Sequence, residues 1–213
     1  MKTDDLVLML SNGIEPTPKH VPARRCAIAL GWGMPISFAL MLSTIGLLAE
    51  LKAALELPGF WIKLGFVLSL AVASLSATMR LSRPGASRKH IPLILSAPVI
   101  VLWGLAIVSL LQTEASFRIP LLMGKTWAEC PGLIAMLSLP IFVATLWAMR
   151  GLAPTNLRLA GASAGLFSGA AGACIYTLHC PEMDAPFIAI WYLSGILVPA
   201  IVGMALGPRL LRW

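Results

Sequence analysis

Charge is what this chain has least of. Asp, Glu, Lys and Arg make up 12% of its 213 residues while 58% are hydrophobic, with a mean hydropathy of +0.86; soluble domains carry about a quarter charged residues. That scarcity excludes an ordinary soluble domain and points to an all-α integral membrane protein. Groups for catalysis are scarce as well. The three histidines, His20, His90 and His179, fall in separate polar segments outside the apolar runs, and no nucleophile, base and acid are grouped, so no enzyme is expected. There is no Cys-x-x-Cys, which removes the strongest motif for thioredoxin-like exchange or a ready metal cage.

What the chain has in quantity is long apolar runs. Six are long enough for a bilayer core, which takes about 20 residues of helix: 26–48, 60–79, 91–111, 131–149, 159–178 and 185–206. The first is too long, and starts too late, to be a cleaved signal segment. Apart from cysteine and tyrosine, Lys63 is the sole ionisable side chain within the runs. It lies a turn from a helix end and is expected to snorkel to the headgroups. An ion-coupled carrier keeps acids, histidines or ion pairs inside its spans. Their scarcity weighs against a small six-helix transporter, which is retained as the alternative, with a membrane thiol oxidoreductase behind it.

Basic residues give an orientation. Lys2, Lys19, Arg24, Arg25, Arg80, Arg83, Arg88, Lys89, Arg150, Arg158, Arg209 and Arg212 flank the runs on one side, leaving Lys52, Lys63, Arg118 and Lys125 for the other. The positive-inside rule then predicts a six-helix bundle with both termini in the cytoplasm. The net charge of +7 is thus mainly a topology signal and implies no direct nucleic-acid partner. Trp61, Trp127, Tyr176, Trp191 and Tyr192 are expected to anchor the opposite interface as an aromatic belt. The chain divides into a tail with a Pro-rich linker (1–25), a transmembrane domain (26–207) and a short C-terminal tail (208–213).

The N-terminal tail has helix grammar: Thr3 as an N-cap, Asp4 and Asp5 in the first turn, Gly13 as a stop. Leu6, Met9 and Leu10 form one apolar edge at i, i+3, i+4. Two to three turns are too short to hold alone in water, so the segment is expected to order on a protein partner. Gly161, Gly165 and Gly169 repeat the small-xxx-small spacing that brings membrane helices together, which places the fifth run centrally and leaves dimerisation through this ridge open.

Two polar gaps carry chemistry. TWAECPG puts Cys130 and Glu129 at the start of the fourth run, and LHCPEMD puts His179, Cys180 and Glu182 after the fifth. The topology sets Cys130 and Cys180 on the same side, each followed by a proline. Three readings compete: a structural disulfide; a soft-metal site of two thiolates with His179 and Glu129 or Glu182; or a reactive pair that is oxidised as a signal.

MKTDDL at the N-terminus, six helices behind a tail, WAEC before the fourth run, LHCP after the fifth and a terminal RLLRW together resemble the NrsF family of bacterial inner-membrane anti-sigma factors. The resemblance implies a multi-pass protein of the inner membrane that holds a sigma F-type extracytoplasmic-function sigma factor until stress arrives. Asp4, Asp5 and Leu6 would belong to the sigma-binding part, extended by Met9 and Leu10. Cys130 and Cys180 would be the periplasmic cysteines that sense heavy-metal or oxidising stress. No resident cofactor is implied, only a soft metal ion as signal. The resemblance raises sensing above a plain disulfide.

Overall fold

The structure is a computed structural model and describes residues 21–82, 89–152 and 154–212. Six helices are long and apolar enough to cross a membrane: α1 Val21–Thr44, α3 Pro58–Leu81, α4 Ile91–Gln112, α6 Cys130–Arg150, α7 Leu157–Tyr176 and α8 Ala185–Leu210. Two short helices, α2 Leu51–Glu56 and α5 Ala115–Met123, fill connections that the hydropathy pattern leaves as gaps. Among the described residues there is no strand. The all-helical architecture suits a chain that must satisfy its own backbone groups away from water.

Local sequence fixes the helix starts. Pro58, Pro131 and Pro186 each sit in a first turn, where the missing N–H costs nothing. The Cys130–Pro131 pair is therefore a helix start, with Cys130 as the first residue of α6. Asn156 caps α7 by accepting the Leu159 N–H at 3.1 Å. Ile188–Tyr192 forms a π-helical turn near the start of α8, a distortion found frequently at functional sites.

The bundle is assembled on α7. Of its apolar stretch 78% is buried, against 11% for α4, which lies at the edge with only Leu102 and Ala106 among its buried residues. Alanines and glycines make that central place available. A Cβ on Gly161 would overlap the Gly203 carbonyl, and one on Gly165 the Pro199 carbonyl, so α7 and α8 meet backbone to backbone. On another side Gly172 packs against Ser138 of α6, where an added Cβ would stand 2.9 Å from the Ser138 nitrogen. Helix α3 packs on α7, and α1 on α6. The last contact includes Gly33 against Ile141 and a 2.5 Å hydrogen bond from the Ser37 hydroxyl to the Leu137 carbonyl.

Because the long helices alternate in direction, the α1–α3, α4–α6 and α7–α8 connections share one end of the bundle, here called the cysteine end. Arg150, Arg158 and Arg209 lie at the other.

Candidate functional site

At the cysteine end the α7–α8 connection, 177–184, is tied down from several sides. The Leu178 carbonyl accepts from the Leu48 N–H at 3.0 Å, and His179 Nδ1 lies 3.1 Å from the Gly46 carbonyl. Gly46 has φ +72°, a left-handed conformation that favours glycine. The Glu182 carboxylate accepts the Lys125 N–H at 2.7 Å, and Gly124, with φ +57°, lets that carboxylate and the Phe187 ring approach where a Cβ would stand. From α8, the Trp191 indole N–H donates to the Leu122 carbonyl at the end of α5, at 2.9 Å, and the Trp191 ring packs on Trp127. The α4–α6 connection is thereby fastened over the start of α8.

Beneath these connections Cys130 and Cys180 are completely buried, both as free thiols. Tyr176 from α7 and Tyr192 from the π-helical turn stand beside them with ring centroids 5.6 Å apart. The belt expectation therefore fails for these two tyrosines. They line a closed polar cluster, because the π turn and the last turn of α7 rotate their rings inward. Trp61, 58% exposed, does stand on the surface.

Lys63 is the other correction. It does not snorkel: its exposure is 0%. Side chains of a helix lean toward its N-terminus, so Lys63, in the second turn of α3, reaches up under the α7–α8 connection. Its ammonium donates to the Cys180 carbonyl at 2.8 Å and the Glu182 carbonyl at 2.9 Å, and lies 5.7 Å from the Tyr192 ring centroid. A buried charge persists only when hydrogen-bonded in this way. The sequence flagged Lys63 as the lone charge in the runs, and that was the available signal.

The sequence-derived site residues thus separate into two places. Cys130, Cys180 and the Glu182 main chain meet around Lys63. His179 and Glu129 instead line a crevice of about 560 Å³ with Ile45, Leu133 and Met136. The Gly46 contact fits an Nδ1–H donor and leaves Nε2 as the nitrogen for a ligand. Among the described residues no group of three or more His, Cys, Asp and Glu side chains converges as a metal cage. The soft donors at this end are the Cys130 and Cys180 thiols, with the His179 imidazole in the separate crevice. Nearby, partial burial and then the Glu182 charge hold the Asp184 carboxyl above its ordinary pKa. The ridge residues Gly161, Gly165 and Gly169 all face α8 within the same chain. Asp4, Asp5, Leu6, Met9 and Leu10 lie outside the described residues.

Comparison with known proteins follows the same lines. Residues 10–213 match the family described as NrsF, negative regulator of sigma F. The chain is 49% identical over its full length, and that of the relative, to the probable anti-sigma-F factor NrsF of Azospira oryzae. It is 36% identical, again over all of both chains, to the anti-sigma-F factor NrsF of Caulobacter vibrioides. No solved structure matches it. On these matches the chain belongs to the NrsF family of anti-sigma-F factors, which are regulatory proteins rather than enzymes.

Proposed function

We propose that this protein sits in the bacterial inner membrane with both termini in the cytoplasm, holds an extracytoplasmic-function sigma factor on its N-terminal tail, and releases it when a soft metal or an oxidant reaches Cys130 and Cys180 from the periplasm. The observation that carries the sensing step is the closed cluster: one thiol at the start of α6 and one in the α7–α8 connection, both fully buried at one end of the bundle. Capture or oxidation of two such thiols demands movement of the connections that cover them.

A route to the tail is built into the packing. Cys130 is the first residue of α6, α6 packs on α1, and α1, from Val21, takes in the last residues of the 1–25 tail segment. A shift of α6 bears on α1 through Gly33–Ile141 and Ser37–Leu137. Such coupling needs two discrete arrangements of the bundle. Moving it from almost fully bound to almost fully free takes about 5.5 kcal/mol of differential affinity, within the range that thiolate coordination of a metal supplies.

Sigma binding by the tail is tested by pull-down. Full-length protein in membranes should retain the sigma factor, and a variant lacking residues 1–13 should insert normally and retain none. Equal retention by the truncated protein would move the binding surface elsewhere, with the 82–90 loop, SRPGASRKH, the first place to look.

A further inference from the structure

Neither family membership nor the chemistry of the thiols gives Lys63 a role. We propose that Lys63 is the tether of the cysteine turn: a buried ammonium, carried by α3, that holds the Cys180 and Glu182 carbonyls and so sets how readily both thiols become accessible. The inference deepens the sensing reading above and rests on it for the consequence of opening.

The geometry is specific. The two carbonyls flank Pro181, which has no N–H. Between the Cys180 N–H, given to Tyr176, and the Ile188 N–H, given to the Asp184 carbonyl, the turn has no helical ladder of its own. Its inward carbonyls are met by Lys63 at 2.8 and 2.9 Å. An ammonium has three donors and can serve both at once, while a methionine of similar length serves neither. Lys63 also faces the Tyr192 ring, so one side chain joins α3, the turn and the π-helical start of α8. With Cys130 and Cys180 both at 0% exposure, a reagent or ion that takes either thiol must displace the turn. Displacing the turn breaks the Lys63 bonds and so uncouples the turn from α3, which stays packed on the central α7. Lys63 is thus a positioning residue that acts through the turn.

The test is alkylation of purified full-length protein in detergent by a small neutral maleimide, with the rate at each cysteine read by mass spectrometry. Lys63→Met should speed labelling of Cys130 and Cys180 by about tenfold or more, the least expected from losing hydrogen bonds to a charged donor. Cys26 and Cys174, away from the turn, should label at wild-type rates and report that the bundle is intact. Lys63→Arg, which keeps a charged multiple donor, should restore slow labelling. Unchanged rates at Cys130 and Cys180, or equal acceleration at all four cysteines, would overturn the tether. If Lys63→Met does not give a monodisperse protein, Lys63→Gln should label faster than Lys63→Arg at Cys130 and Cys180, and equal rates would overturn it. None of these rates involves the sigma factor, so their failure is separable from failure of sigma binding.

Discussion

Tyr192 is fully buried, yet its hydroxyl has no hydrogen-bond partner among the described residues. A buried unpaired hydroxyl costs about 1–3 kcal/mol. Tyr192→Phe is therefore expected to keep the fold and raise its stability by about 1 kcal/mol, read as a higher thermal midpoint of the purified protein. A loss of stability would show that the hydroxyl is engaged, with the Cys180 thiol beside it as the first candidate. At this scale the sequence was informative where a residue's meaning is local. Cysteine-proline pairs at two polar gaps pointed to Cys130 and Cys180, and the structure brings them into one cluster. It was misleading where meaning depends on what crosses overhead. Snorkelling describes a lysine at the end of an isolated helix, whereas Lys63 has the Cys180–Glu182 turn above it. Tyr176 and Tyr192 look like belt residues until the chain rotates them inward.

Among the elements, α7 and α8 share the closest contact, and its chemistry is negative: what matters is the lack of side chains. Gly165→Ala drives a methyl into the Pro199 carbonyl and should destabilise the bundle by about 1–3 kcal/mol. Gly104→Ala, on the edge helix α4 with nothing within 4 Å of the new methyl, should be neutral or stabilise by up to about 1 kcal/mol. Thermal unfolding of the two variants in detergent decides the matter, and equal effects would contradict the close α7–α8 contact. The glycine ridge and its central helix were legible from spacing alone. Its partner surface, Gly203 and Gly207 on α8, was not, since spacing says nothing of which helix lies opposite. The short helices α2 and α5 escaped because nine or fewer residues leave no signal in a search for twenty-residue runs. The π-helical turn at Ile188–Tyr192 has the composition of any apolar helix, so no sequence signal marks it.

Over the whole molecule, the six helices place a closed thiol cluster at one end and concentrate arginines at the other, with α6 packed on α1, the helix that follows on from the N-terminal tail. This division follows from the apolar runs and their basic flanks, which is why the architecture could be read from sequence. The proposed coupling could not, because it rests on contacts such as Gly33 on Ile141 that join residues far apart in the chain. The most direct test of the account is retention of the sigma factor on full-length protein in native membranes before and after a cadmium pulse, for the wild type and for a variant with Cys130→Ser and Cys180→Ser. The account predicts that the wild type holds the sigma factor and loses it on cadmium, while the double variant holds it throughout. A wild type that keeps its sigma factor, or a double variant that releases it equally, would contradict the account.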